Sequence, residues 1–399
     1  MSREVLVSLA HRTIAHARAG TVPQAESVME VPAANYFDAE RWQLEMERIF
    51  KRVPLTLGFT SDLAEAGSYR TLDVAGVPVL LSRGDDGVVR SFVNTCSHRG
   101  AQIMEGNGRA RRFTCPYHAW SYSTEGALVG ILDRDQFGEI DTDCHGLTEL
   151  PCEERAGLIF GGLTPGAELH LDDYLCGYGE MLETLGLGDC HVVGRQSVAG
   201  PNWKVAYDGY LDFYHLPILH KDTFGPNYSN KAIYDAWGPH QRVTSPDERI
   251  LAWADTPEDD WSLRRINSGI WTIFPHVSIA RFDVDGGPMF MVSQLVPGAD
   301  ATTSVTTQHF LASFEPTEEQ QVSIEKQMDF LLGVVRDEDY YTGNRLQAAL
   351  KTGAKSHVMF GRNEAGGQRF HTFVDQLLGA ADDDAYRAVL ARGQVIFQP

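Results

Sequence analysis

Nowhere in its 399 residues does the chain hold an apolar run approaching the roughly 20 residues that a helix needs to span a bilayer. That argues against a helical membrane protein. Positive charge is scarce: 34 Lys and Arg stand against 54 Asp and Glu, a net charge of −20. General binding to nucleic acid or to an anionic membrane surface is thereby disfavoured. Cysteine is sparse too. Cys144, Cys152, Cys176 and Cys190 form no disulfide-like framework and read as free buried thiols of a reducing compartment. The first residues, Met1-Ser-Arg-Glu-Val-Leu-Val-Ser-Leu-Ala-His-Arg12, interrupt their apolar positions with charge, unlike a secretory signal, so a cytoplasmic location is expected. Gly106-Asn-Gly108 lacks the third glycine of a dinucleotide loop, there is no complete P-loop, and no repeat or low-complexity segment appears.

What is present suits a globular α+β protein of two domains. Apolar residues make up 43% and charged residues 22%. Residues 2–18 and 38–50 read as helices, the second capped by Asp38 with Trp42, Met46 and Ile49 on one face. Short β runs then follow at 69–74, 77–82, 88–95, 112–115 and 157–160, punctuated by Gly and Asp. A helix is expected at 171–185, strands at 270–274, 277–282 and 289–296, and helices at 317–332, 338–350 and 370–378. The expected division is 1–50 as a helical segment packing on the catalytic domain, 51–165 as a small β domain, and 166–399 as the catalytic domain.

Two short stretches carry the chemistry. Cys96 and His98 form a Cys-x-His pair, and Cys115 and His118 a Cys-x2-His pair after a gap of sixteen residues. Each loop supplies one thiolate and one imidazole. That division suits a Rieske [2Fe–2S] cluster, with two Cys on one iron and two His on the other. A structural zinc is the alternative, but zinc loops usually keep Cys with Cys and His with His.

The second stretch runs Pro201-Asn-Trp-Lys-Val-Ala-Tyr-Asp-Gly-Tyr-Leu-Asp-Phe-Tyr-His-Leu-Pro-Ile-Leu-His220. On a continuous helix Asp208, Asp212 and His215 would share one face, with Pro217 kinking the chain so that His220 returns toward His215. An isolated His-x4-His is more often two surface histidines. The acidic face behind it, in a chain that also holds a cluster motif, favours a two-His, one-carboxylate iron site with open positions for O2 and substrate. The acidic triplet Asp337-Glu-Asp339 would by itself be a solvated helix start.

Residues 94–122, with Arg99-Gly100, Pro116-Tyr117 and Trp120 around the ligands, resemble the cluster motif of the Rieske non-haem iron oxygenases, in their catalytic α subunit (the aromatic-ring-hydroxylating dioxygenase family). The 201–220 stretch resembles the same family's mononuclear-iron segment, and the likeness extends over about 35–378. It implies a Rieske domain followed by a helix-grip (START-like) catalytic domain. It further implies that His215, His220 and Asp339 bind Fe(II), with Asp337 as the fallback for Asp339, since Gln347 stands eight residues after Asp339 as in many relatives. Asp212 would be the bridging acid that hydrogen-bonds a neighbouring subunit's cluster histidine, equivalent to His118. Gly209 departs from the family, which often has Asn there.

The implied enzyme is a homotrimer or α3β3 assembly that uses O2 and electrons from a ferredoxin or flavin-dependent reductase, since the chain has no flavin or nicotinamide motif of its own. Its substrate would be a small aromatic or other hydrophobic molecule, either dihydroxylated or monooxygenated, including demethylation. Asp rather than Glu at 212 leans toward aromatic substrates and aromatic hydrocarbon catabolism. Arg109, Arg111 and Arg112 read as a charged hairpin edge, with docking of an acidic electron donor as the functional alternative. Trp237, Trp261, Trp271, Phe274, Phe282 and Phe290 read mostly as core, and His276 and His309 as structural. Two other classes stay open at this level: a Rieske electron carrier without oxygenase activity, and a hydrophobic-ligand-binding protein with a structural zinc.

Overall fold

The computed structural model describes residues 2–391 and the strand Val395–Phe397. Two compact units result: residues up to Ile49 together with Asp172 onward, and Phe50–Leu171.

Phe50–Leu171 is built from three small antiparallel sheets. The largest orders Glu149–Leu150, Val89–Val93, Val77–Arg83, Ser68–Val74 and Asn107–Arg109. Ala75-Gly76 links two of these strands at positive φ, 50° and 76°, the two-residue hairpin turn whose twist matches the strands it joins. A three-stranded sheet of Phe113–Thr114, Ser121–Tyr122 and Leu128–Gly130 carries the second Cys/His loop. Both thiols are buried in the core of this unit, beside Phe92, Ile103, Phe113, Trp120 and Tyr122.

The other unit holds one antiparallel sheet of eight strands. It runs His191–Gly200, Ser304–Ala312, Gly287–Pro297, Val277–Val284, Ile270–Ile273, His240–Thr244, Ile233–Trp237 and Val395–Phe397. Against it lies the helix Ala365–Gly379, which buries Phe370, Val374 and Leu377 at i, i+4 and i+7. Each such side chain contributes about 1.5–3 kcal/mol by leaving water. Gln241 Nε2 also donates to the Gly366 carbonyl (3.1 Å), tying the helix start to the sheet. A helix gripped by an antiparallel sheet is the α+β fold expected for this segment.

Four local expectations need correction. The helix expected at 171–185 is two short ones, Leu171–Leu175 and Tyr178–Glu183, because Cys176 and Gly177 adopt left-handed φ of 52° and 82°. The helix through 201–220 ends at Leu211, before Pro217 is reached. Glu318–Val334 and Tyr340–Leu350 are not separate helices: a π turn, Val335–Asp339, joins them, so the acidic triplet is not a helix start. Of the four remaining cysteines, all without disulfides, only Cys190 is buried; Cys152 and Cys176 are half-buried and Cys144 is exposed.

Candidate metal centres

The two Cys/His loops have the same backbone construction despite different sequences. In the first, the Cys96 N–H donates to the Ala101 carbonyl (2.8 Å) and the Cys96 carbonyl accepts from Gly100 (2.9 Å). In the second, Cys115 donates to Trp120 (2.8 Å) and accepts from Ala119 (3.0 Å). Gly100 and Ala119 both turn the chain at positive φ, 78° and 58°. Each knuckle thus aims a buried thiol and the following imidazole in the same direction. The His98 and His118 rings meet at 4.6 Å between centroids, and Trp120 stacks on His98 at 5.0 Å. His98 Nδ1 is buried with no hydrogen-bond partner. Burial, then the neighbouring His118 and Arg99, push the His98 pKa down, which favours the neutral form a metal requires. Tyr122 accepts from the Ser97 N–H (3.0 Å), and its hydroxyl lies 3.2 Å from Cys96 Sγ. Burial and Cys96 raise its pKa to about 12, so the phenol keeps its proton.

This donor set does not suit one zinc ion. Four ligands at ordinary Zn–N and Zn–S lengths lie about 3.3–3.8 Å apart. Among the described residues, the only three such donor atoms within 4.8 Å of one another belong to His215, His220 and Asp339. Two buried thiols on one side and two facing imidazoles on the other fit a cluster of two irons.

The second centre starts from Asn202. Its side chain caps the helix Trp203–Leu211 by accepting from the Lys204 N–H (2.8 Å) and donates to the Ala301 carbonyl (2.6 Å). Its N–H donates to Gln347 Oε1 (2.6 Å). Trp203 Nε1 (2.8 Å) and the Lys204 ammonium (2.5 Å) both donate to Glu45, a carboxylate buried in the helix Ala39–Glu45. The Asn-Trp-Lys stretch and Gln347 therefore clamp the helix that leads to the site.

At its far end Asp212 leaves the helical region (φ −103°, ψ 108°), and its Oδ1 accepts from the Tyr214 N–H (2.6 Å). The chain restarts as Leu216–Leu219, with Pro217 in the first turn, where its missing N–H costs nothing. His215 and His220 bracket that turn. Their Nε2 atoms lie 3.2 Å apart, and Asp339 Oδ1 is 3.6 Å from the first and 3.3 Å from the second. Cis ligands about 2.0–2.2 Å from one metal, at angles of about 90–110°, lie about 2.8–3.6 Å apart, so the triangle fits a single ion. The outward nitrogens are held by acids: His215 Nδ1 donates to Asp212 Oδ2 (3.1 Å) and His220 Nδ1 to Glu338. Both rings thus turn Nε2 toward the shared point. Burial pulls the His215 pKa down, but Asp212 and Asp339 outweigh it and raise it to about 9. Burial and then Asp339 act in the same opposed way on His220, with a net rise.

Asp337 lies apart from this triangle, exposed and paired with Arg336 (2.6 Å). Asp208, expected on the site's acidic face, instead accepts from the Tyr36 hydroxyl (2.8 Å) and faces His371 Nε2 (2.9 Å). With His371 it ties the helix Trp203–Leu211 to the helix Ala365–Gly379. Glu338 is the site residue that sequence reasoning passed over. The π turn places it beside His220, and Thr223 Oγ1 also donates to it (3.1 Å). Arg109 pairs with Glu65, while Arg111 and Arg112 are exposed. Trp237, Trp261, Trp271, Phe274 and Phe290 are core, as are His276 and His309.

Residues 54–142 match the Rieske [2Fe-2S] domain, and residues 187–380 match the ring hydroxylating alpha subunit (catalytic domain). The carnitine monooxygenase oxygenase subunit of Acinetobacter baumannii is 30% identical over 335 residues, 80% of this chain and 85% of that one. The 2-aminobenzenesulfonate 2,3-dioxygenase alpha subunit of an Alcaligenes species is 36% identical over 189 residues, 45% and 47% of the two chains. In fold, a crystal structure of a quaternary ammonium Rieske monooxygenase superposes with a TM-score of 0.74 at 24% identity, covering 88% of this chain and 96% of that one. The chain belongs to the Rieske non-haem iron oxygenases, oxidoreductases that incorporate molecular oxygen by means of a [2Fe–2S] cluster and a mononuclear iron.

Proposed function

We propose that Cys96, His98, Cys115 and His118 hold the cluster, that His215, His220 and Asp339 hold the iron, and that the enzyme oxygenates a small organic acid. One observation carries the iron assignment: two imidazole Nε2 atoms and one carboxylate oxygen converge while acids fix both outer nitrogens. When bound, the iron supplies a centre at which O2 is reduced beside the substrate, with electrons delivered through the cluster. The chain's residues set that centre up. Asp212 and Glu338 hold a proton on Nδ1 of His215 and His220, so that Nε2 is the nitrogen left to ligate once the metal displaces its proton. A three-ligand face leaves the remaining positions open.

The electron donor is read as a ferredoxin or flavin-dependent reductase and the assembly as a trimer, in which Asp212 meets the partner's cluster histidine. The Asp212 side chain keeps 32% of its surface exposed. Tyr214 and Ile218 beside it, and Tyr117 beside His118, are large apolar side chains left in solvent, as expected of surfaces covered by another subunit.

The substrate reading draws on two relatives. The longer match is to a carnitine monooxygenase and the shorter, more identical one to a 2-aminobenzenesulfonate dioxygenase. Asp212 favours the ring substrates and the length of match favours the quaternary amines. Both named substrates carry an acidic group, a carboxylate or a sulfonate, and that is the property carried over to this chain.

The test is iron and acid-labile sulfide per chain on anaerobically purified protein, with EPR of the reduced form. About three irons and two sulfides with a Rieske-type signal is the expected result. Two irons that stay at two after Fe(II) is added would leave an electron carrier. In Asp212→Ala the cluster should persist while turnover stops even after Fe(II) is added back, and normal turnover would remove Asp212 from the electron path.

A further inference from the structure

A cavity of about 380 Å3 lies in the catalytic unit, within the size range of small-molecule sites. Its wall carries Arg242, Arg249, Arg264, Arg265 and Arg281 against a single carboxylate, Asp247. In a chain with a net charge of −20 this is a strong local reversal. Three of the arginines are paired: Arg242 with Asp235, Arg249 with Asp247 and Arg264 with Asp283. The other two have no ion pair among the described residues. Arg265 lies over the Trp253 ring (5.9 Å) and Arg281 over the Phe290 ring (5.7 Å). Burial, then Arg264, push the Arg281 guanidinium below its usual value, with Asp283 only partly opposing them. That is the direction for a desolvated cation short of a counter-ion.

The same wall holds three buried polar atoms without a hydrogen-bond partner: Arg281 Nε, Thr244 Oγ1 and Ser245 Oγ. Buried polar groups normally find partners, and all three of these can donate. Much of the remaining lining is apolar, including Phe213, Ile250, Trp253 and Phe282. Donors and free cations beside an apolar wall suit a small molecule with one acidic group and a hydrophobic body. Phe213 also brings the apolar lining close to the iron site. It stands two residues before His215, so its Cα is at most about 7 Å along the backbone from that histidine's.

We propose that this cavity takes the substrate and that Arg281 and Arg265, with the Thr244 and Ser245 hydroxyls, bind a carboxylate or sulfonate on it. This rests on the oxygenase reading above but locates the recognition in residues that reading does not use. Charge-assisted bonds from guanidinium to carboxylate supply the affinity, and an uncharged amide of the same shape cannot replace them.

The experiment is calorimetric binding to the metal-loaded protein of benzoate, benzenesulfonate and pentanoate, each against its neutral amide. At least one acid should bind about tenfold or more tightly than its amide. Arg281→Gln and Arg265→Gln should each remove most of that preference and leave the weak amide binding alone, with Arg281→Lys intermediate. An unchanged circular dichroism spectrum and thermal unfolding transition in each variant show that the fold is kept. Equal binding of acids and amides, no binding of any acid at millimolar concentration, or acid affinity indifferent to both Gln variants would overturn the proposal. So would chloride or phosphate matching the organic acids, which would make this an inorganic-anion site. In His215→Ala acid binding should persist, so a failed iron assignment and a failed acid site give different results.

Discussion

The two metal centres are assembled in opposite ways. The cluster site comes from two loops lying within residues 96–118, and its geometry is set by backbone: two identical knuckles, each closed by a pair of main-chain hydrogen bonds. The iron site draws ligands from 215–220 and from 339, and its geometry is set by side chains, through Asp212, Glu338, Asn202 and Gln347. A backbone-built site survives changes around it as long as the turns form. A side-chain-built site depends on several remote contacts and can be loosened without unfolding anything.

That contrast can be broken at its strongest point first. Cys96→Ala should abolish the cluster and its visible spectrum outright while iron at the second centre remains; an intact spectrum would refute the assignment of the first loop. Next, Asp339→Ala should remove the mononuclear iron and spare the cluster, whereas Asp337→Ala should change neither metal, because Asp337 is exposed and engaged with Arg336. Iron loss in the second variant instead of the first would exchange the two residues' roles.

Smaller effects sharpen the comparison. Glu338→Ala should weaken iron binding about 10–100-fold by freeing the His220 ring, with no effect on the cluster. Affinity unchanged in a chelator competition would deny Glu338 that part. The pH dependence follows from His215, whose pKa of about 9 lies above its ordinary 6.5. In the metal-free protein its ion pairs add stability that is complete below about 6.5 and lost as pH rises through about 9. Iron uptake runs the other way, since the metal must displace that proton. Affinity should climb by up to about tenfold per pH unit between 6.5 and 9. A flat profile would mean His215 is already neutral. The smallest effect is at Gly209, where an added Cβ meets nothing within 4 Å. Gly209→Ala should raise thermal stability by up to about 1 kcal/mol, as for any glycine inside a helix.

The same contrast explains what was legible in the sequence. A cluster site made of local turns leaves its whole pattern within one window, so Cys96, His98, Cys115 and His118 could be singled out together. The strands Ile270–Ile273, Val277–Val284 and Gly287–Pro297 were readable from the sequence, and Asp38 from its capping chemistry. The early exit of the iron helix was not, because it depends on Asp212 turning its carboxylate onto the Tyr214 N–H, a contact that no periodicity announces. Glu338 was passed over because, on a regular helix, adjacent residues point about 100° apart and only one of the pair would face inward. The arginine-lined cavity gathers strands and helices from 242 to 281, spacing that carries no motif.

The π turn between Glu318–Val334 and Tyr340–Leu350 also leaves a trace in the order of apolar residues. Ile324, Met328, Leu331 and Val334 are buried on one helical phase, and Tyr340, Gly343, Gln347 and Leu350 on another, about one residue out of step. Read in windows, the slip looks like two helices with a gap. Physically it is a single rod carrying one surplus residue, and the surplus falls where the rod must turn two successive carboxylates inward. Removing a residue between Val334 and Glu338 would restore an unbroken period. The result would be a better helix and a poorer metal site, with the rod's regularity and the enzyme's iron set against each other over one residue.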